Sequence, residues 1–140
     1  MESVFVDTDI ILDLLSFREP FYVHSANLFS LADLKKIRIS VSSLSFSNLH
    51  YILSKQTSAA QSRKQLLKFK TLVTVLPVTD KIVELALASD FKDFEDGMQY
   101  YTALEQGIKM ILTRNLKDFK TAGVPVMTSE QFLKANEDQT

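Results

Sequence analysis

Acidic residues gather where apolar runs of this chain give way to polar ones. They form Asp7-Thr8-Asp9, Asp93-Phe94-Glu95-Asp96, and a third group of Asn115 and Asp118 within Thr113-Arg114-Asn115-Leu116-Lys117-Asp118-Phe119. Carboxylates about 5 Å apart repel by roughly 3 kcal/mol at an effective dielectric near 20. Either the fold keeps these groups apart, or a divalent cation offsets the repulsion. A single Asp in the first turn of a helix has a simpler use, capping its free N–H groups and meeting the helix dipole. Asp9, Asp80 and Asp93 fit that use. Asp7 does not fit it as well: it follows an apolar strand, precedes a helix and has a second Asp two residues on, whereas a cap needs one such oxygen.

The other residue types narrow the chemistry. Hard cations such as Mg²⁺ and Mn²⁺ take oxygen ligands, and Mg²⁺ is commonly held by one or two carboxylates with waters and phosphate oxygens completing its shell. A sparse set of Asp and Asn suffices for that. Zinc is disfavoured, because His24 and His50 fall in separate helices with no spaced partner ligand. The absence of cysteine removes disulfides, thiolate metal sites and a Cys nucleophile together. Ser42, Ser43, Ser45 and Ser47 lack the Gly-x-Ser-x-Gly elbow of serine hydrolases, and three glycines cannot build a Gly-rich phosphate loop.

The elements that must position these groups can be traced along the chain. Val4-Phe5-Val6 predicts a buried strand that runs into Asp7, and Ile10, Ile11, Leu14 and Leu15 repeat at helical spacing, so a helix starts near Asp9. Pro20 suits the first turn of a second helix reaching about Leu34, closed by Lys35-Lys36. Ile37 to Val41 alternates as a strand. The serines after it cap a helix from about Leu44 to Gln56, and a basic helix spans Ser58 to Lys70. Leu72 to Leu76 predicts a third strand ended by Pro77. Thr79 caps the next helix, and another runs from about Phe94 to Gln106 with Gly107 as its stop. Lys109 to Thr113 is a fourth strand, Asn115 to Lys120 a loop, and Val124 to Met127 an edge strand, since Pro125 suits an edge. Ser129 caps the final helix. Strands alternating with helices imply an α/β fold with a parallel sheet covered on both faces. Ligands of such sheets sit beyond the strand carboxyl ends, which is where Asp7, the Ser42-Ser43 region and Thr113 to Asp118 fall, with Asp96 in helical reach.

At 140 residues the chain fits one domain, read as 1–135 with a frayed tail at 136–140. A composition of 46% hydrophobic and 24% charged residues is that of a globular protein. The formal net charge of −1 gives no global attraction for nucleic acid, so any phosphate contact must be local. Ser3 to Val6 has no basic leader and no stretch long enough for a membrane span, so a cytoplasmic location with no membrane partner is expected.

Three segments, in order, carry a family resemblance. Val-Phe-Val-Asp-Thr-Asp-Ile-Ile-Leu-Asp at 4–13 resembles the opening strand and Asp-Thr-Asn-like turn of PIN domains. Asp96-Gly97-Met98-Gln99-Tyr100-Tyr101-Thr102-Ala103-Leu104 is similar to their central Asp-Ala helix, and Ile111 to Phe119 to their closing Thr-Arg-Asn/Asp segment before Asp-Phe. The resemblance spans nearly the whole chain. It implies a three-layer α/β/α fold on a parallel sheet of four to five strands. It also implies a Mg²⁺- or Mn²⁺-dependent endoribonuclease that hydrolyses RNA phosphodiester bonds, of the kind found as the toxin of VapC-like toxin–antitoxin pairs, with a protein antitoxin as partner. By position, Asp7, Asp96 and Asp118 are then metal-binding carboxylates, Asn115 adds an amide oxygen and Thr113 a nearby hydroxyl.

This chain departs from the family pattern at Asn48, where a Glu is common. An amide can ligate or hydrogen-bond but brings no charge, so Asn48 joins the catalytic set with Asp9 or Asp93 expected to supply the missing charge. The same departure motivates an alternative, a catalytically weak PIN-like module that binds RNA or a protein partner. A phosphoacceptor-type domain using Asp7 and Asp9 fits less well, because no strand ends in the required Lys. For RNA contact, Arg114 and Lys117 are the leading cations, flanked by Lys120. Lys55, Arg63, Lys64 and Lys68 read as solvated helix faces. Tyr51, Tyr100 and Tyr101 are candidates for stacking on unpaired bases, although helical aromatics more often belong to core or interface. The many apolar helix positions suggest a homodimer.

Overall fold

The computed structural model describes residues 1–120 and 122–137. Five strands form one all-parallel sheet in the order β3-β2-β1-β4-β5. They are β1 (Glu2–Val6), β2 (Ile37–Ser42), β3 (Thr74–Leu76), β4 (Ile111–Leu112) and β5 (Val126–Met127). Between them run α1 (Thr8–Leu15), α2 (Tyr22–Asp33), α3 (Ser43–Gln56), α4 (Ala59–Lys70), α5 (Asp80–Leu87) and α6 (Phe94–Glu105), and α7 (Ser129–Glu137) follows β5. This is the three-layer α/β/α arrangement expected from the alternation of strand and helix patterns. Among the described residues no helix is long and apolar enough to cross a membrane.

Strand β1 is central and supplies both halves of the core. Val4 and Val6 face α1 to α4 and α7, packing with Ile10, Leu28, Phe29, Leu49, Phe69 and Phe132. Phe5 faces the other way, onto Tyr100, Ala103, Ile111 and Phe119. The side-chain period of two in a strand makes this division unavoidable. Burying each such side chain contributes about 1.5–3 kcal/mol. From β1 the chain builds outward to β2 and β3, then α5 and α6 carry it back to the far side of β1, where β4 and β5 complete the sheet. The strand order therefore reverses between β1 and β4, the place where open α/β sheets leave a crevice at their carboxyl ends.

Several boundaries differ from the sequence reading. β2 does not alternate cleanly, because all of Ile39 to Ser42 is buried beneath helices on both faces. Leu72 and Val73 close the end of α4 through Leu72 N–H to Phe69 O and Val73 N–H to Lys70 O, leaving β3 to start at Thr74. β4 is only two residues long, although Met110 O and Thr113 N–H extend its bonding to Phe5 and Met127. The expected loop at 115–120 holds a 3-10 helix, Leu116–Phe119. Ser129 lies inside α7 with a buried hydroxyl. Its neighbour Thr128 is the cap, accepting from Gln131 N–H at 3.1 Å while Gln131 Oε1 accepts from Thr128 N–H at 3.0 Å, a reciprocal capping box. Helix α7 takes in Asn136 and Glu137, and the rest of the expected tail lies outside the described residues.

Candidate active site

Asp7 occupies the turn between β1 and α1 and caps that helix. Its backbone N–H is tied to Leu112 O at 3.0 Å, which fixes the turn against β4. The side chain is 6% exposed, with Oδ1 accepting from Thr8 N–H at 2.8 Å and Oδ2 accepting from the Thr113 hydroxyl at 2.9 Å. Thr113 in turn accepts from Asn115 N–H at 3.1 Å, so one fully buried hydroxyl orients both the central carboxylate and the loop that follows β4. Burial pushes the Asp7 pKa up to about 6, with Asp9 and Glu95 adding repulsion, against the opposing pull of the Thr113 and Thr8 hydrogen bonds. No ion pair of Asp7 with a basic side chain occurs among the described residues.

Around Asp7 opens a cavity of about 260 Å³ lined by Thr8, Asp9, Asn48, Tyr51, Ile52, Asp93, Glu95, Asp96 and Asn115. Asp96 enters from the first turn of α6, whose N-terminus is capped by Asp93 Oδ1 accepting Asp96 N–H at 3.1 Å. The Asp96 pKa rises to about 7, from burial first and then from Asp7, Asp93, Asp118 and Glu95. Asn115 donates its amide to Asp9 Oδ2 at 2.6 Å, and Asn48 donates its amide to Glu95 Oε1. Beneath the cavity, buried Gln99 donates to the hydroxyls of Thr8 and Ser45, both at 3.1 Å, and those two hydroxyls are hydrogen-bonded to each other at 2.7 Å. Ser45 N–H is held by Ser42 Oγ at 3.3 Å. The serines after β2 thus brace α1, α3 and α6 against one another.

Asp118 stands on the 3-10 helix and lines an adjoining cavity of about 320 Å³ with Lys92, Asp93, Asp96, Lys117 and Lys120. Asp93 and Asp96 are the wall common to both cavities. The structure therefore gathers Asp7, Asp9, Asn48, Asp93, Asp96, Thr113 and Asn115 at the first cavity or beneath it, and puts Asp118 and Lys117 just past its rim. Arg114 is elsewhere. Its Nε pairs with Asp13 Oδ2 at 2.9 Å and its guanidinium lies 4.1 Å from the Phe21 ring centroid, beside the small pocket of His24, Ser25 and Ser129. An adjacent position in sequence did not translate into an adjacent position in space, because successive residues after a strand point to opposite sides.

Two participants were missed in the sequence. Glu95 sits inside an acidic run whose neighbours drew attention to themselves, yet its contact with Asn48, 47 residues away, is a product of folding alone. Gln99 is the polar residue on the buried side of α6, three residues after Asp96, a spacing that places both on one helix face and was the available signal.

The donor set fits a hard cation. It consists of carboxylate and amide oxygens around a buried, unneutralised carboxylate, with neither sulfur nor imidazole at the cavity. Among the described residues no three His, Cys, Asp or Glu side chains stand as a finished metal cage. One or two carboxylates with solvent oxygens are the number this arrangement offers.

The PIN domain family model matches residues 3–117. Ribonuclease VapC1 of Aquifex aeolicus (strain VF5) is 31% identical over 139 residues, covering 94% of this chain and 93% of that protein. Among solved structures, Mycobacterium tuberculosis VapC20, a sarcin-ricin loop cleaving toxin, superposes with a TM-score of 0.66 at 18% identity, covering 86% of this chain and 95% of that one. A toxin-antitoxin complex from Klebsiella pneumoniae gives a TM-score of 0.65 at 23% identity over 90% and 97% of the two chains. On the extent of the sequence match and the shared arrangement of strands and helices, this chain belongs to the PIN-domain family.

Proposed function

We propose that this protein is an endoribonuclease that requires Mg²⁺ or Mn²⁺ and serves as the toxin of a bacterial toxin–antitoxin pair. The observation that carries the reading is the state of Asp7, a carboxylate buried at the strand-order reversal, faced by Asp9, Glu95 and Asp96 and paired with no cationic side chain among the described residues. Such an environment favours a bound divalent ion over a bare carboxylate. Ribonuclease VapC1 and the sarcin-ricin loop cleaving toxin VapC20, both similar to this chain, support the same reading.

In this reading Asp7 and Asp96 hold the ion, Asn115 turns its amide oxygen toward it, and Asp118 completes the charge from the rim. When bound, the ion supplies an activated water and stabilises charge on the phosphate oxygens. Thr113 keeps Asp7 in one orientation, and Gln99 with Thr8 and Ser45 keeps α6 at its distance from α1. Asn48 leaves the site without the charge of a Glu on α3. Glu95, hydrogen-bonded to it from α6, replaces that charge from the opposite wall. Phosphate contact falls to Lys117, on the cavity beside Asp118, and Arg114 acts from beneath by neutralising Asp13. The remaining features of the reading are one PIN-like domain over 1–135, a cytoplasmic homodimer, and capture by a protein antitoxin, supported by the toxin-antitoxin complex among the structural relatives.

The test is RNA cleavage titrated with Mn²⁺ and Mg²⁺, wild type beside Asp7→Asn. Metal-dependent cleavage lost in the variant supports the nuclease. A second reading, a catalytically weak module that binds RNA or a protein partner, is motivated by Asn48. Equal inactivity of both proteins at every metal concentration would leave that one standing.

A further inference from the structure

The three tyrosines considered for base stacking occupy quite different places. Tyr100 is buried, its hydroxyl accepting from Gly123 N–H at 3.0 Å and its ring 5.2 Å from Phe91. Tyr101 lies edge-on to Tyr100 at 4.9 Å, inside the same aromatic cluster. Tyr51 differs from both: it is 62% exposed and lines the acidic cavity one helical turn beyond Asn48. One turn further along α3, Lys55 reaches back, with Nζ 4.0 Å from the Tyr51 ring centroid and donating to the Tyr51 hydroxyl at 2.6 Å. A large exposed aromatic ring on a rigid helix costs hydration and contributes no core packing. It is suited to a flat, π-rich partner, and a cation against it raises the attraction for an electron-rich ring.

The opposite side of the acidic wall differs. Lys92, Lys117 and Lys120 line the second cavity, across Asp93 and Asp96 from Tyr51. The carboxylates are therefore flanked by an aromatic step with one lysine on one side and by three lysines on the other. A polymer with alternating flat apolar faces and regularly spaced anions matches that sequence of surfaces, provided its bases are unpaired. A duplex keeps its bases stacked on each other and has no free face to offer Tyr51.

Resting on the nuclease reading above, we propose that Tyr51 is a platform on which one base of the RNA strand stacks. The strand crosses the acidic cavity with one unpaired base stacked on Tyr51, an adjacent phosphate on Lys55, and phosphates beyond the carboxylates on Lys117 and Lys120. Tyr51 is a positioning residue and takes no part in bond cleavage.

The experiment mixes the protein in Mn²⁺ with short single-stranded oligoribonucleotides carrying 2-aminopurine at successive positions, reading the rapid fluorescence change by stopped flow and cleavage on gels. At one position wild type and Tyr51→Phe quench the probe, and Tyr51→Leu does not. Cleavage by Tyr51→Leu shows KM raised about tenfold with kcat little changed, as expected for the loss of one base stack. Lys117→Ala/Lys120→Ala lowers the slope of log affinity against log salt by about 1.4, two single-strand phosphate contacts. Quenching retained by Tyr51→Leu, or a loss confined to kcat, overturns the platform. Wild type that cleaves without quenching overturns the platform and leaves the nuclease intact. Wild type that quenches without cleaving does the reverse, and wild type that does neither overturns both.

Discussion

Asp7 and Asp13 lie six residues apart, both buried, one at each end of the same segment, and the fold treats them in opposite ways. Asp13, 1% exposed in the last turn of α1, is met by Arg114 at 2.9 Å. Burial still pushes its pKa up, while Arg114 and then Arg18 pull it down. Asp7 has two hydrogen bonds and otherwise faces Asp9, Glu95 and Asp96. A carboxylate with a built-in cation serves the architecture. One left among other carboxylates is stable only when protonated or when something positive comes from outside, which separates a structural acid from one held ready for a ligand.

The comparison is most exposed to failure at Arg114. Arg114→Met leaves Asp13 buried without its cation and should cost about 3–5 kcal/mol at neutral pH, measured by urea denaturation, with much of the loss recovered in the double variant Asp13→Asn/Arg114→Met. A cost below about 1 kcal/mol would put the two aspartates in the same class.

Asp7→Asn should move stability the other way. In the folded, metal-free protein Asp7 keeps its proton up to about pH 6, against 3.8 for an unperturbed Asp. Folding therefore takes up a proton between those values, and wild type loses stability as pH rises from about 4 through 6, with Asp96 extending the loss toward pH 7. At pH 8 the metal-free Asn variant should be more stable by about 2–3 kcal/mol, and near pH 4 the two should unfold alike. Mn²⁺ at about a hundred times its Kd should restore about 2.7 kcal/mol to wild type and little to the variant, read as a shift in melting temperature.

Smaller effects sharpen the picture. Thr113→Val removes the donor to Asp7 and the acceptor for Asn115 N–H, for an expected loss of about 1–2 kcal/mol in chemical denaturation. Asn48→Glu should tighten Mn²⁺ binding about tenfold by calorimetry, at a loss of roughly 1 kcal/mol in metal-free stability, since the new carboxylate meets Glu95. Unchanged metal affinity would mean that Glu95 already provides all the charge that α3 lacks.

Local signals made the element order legible. Each apolar run is short, most helices begin after a serine, threonine or aspartate that proves to be the cap, and Gly107 adopts the positive φ of +71° expected of a helix stop. Asp7 drew attention as the carboxylate a cap does not require, but it is itself the cap of α1; the carboxylate beyond the cap is Asp9, which accepts the Asn115 amide instead. What escaped the sequence depends on direction in space. Arg114 and Asn115 are neighbours in the chain, yet one turns beneath α1 to Asp13 and the other over it to Asp9. Glu95 meets Asn48 only because α3 and α6 flank the same cavity. The buried hydroxyl network of Thr8, Ser45 and Gln99 draws on three separate helices, none of which carries a motif for it.

The 3-10 helix bearing Asp118 has one buried side chain, Phe119, whose ring sits 5.9 Å from Phe91 in the aromatic cluster. Asp7 and Asp96 are built into the sheet end and a long helix, but Asp118 hangs from a single hydrophobic peg. Local opening costs least where few apolar contacts must separate, so of the three carboxylates Asp118 rests on the support with the least apolar burial beneath it.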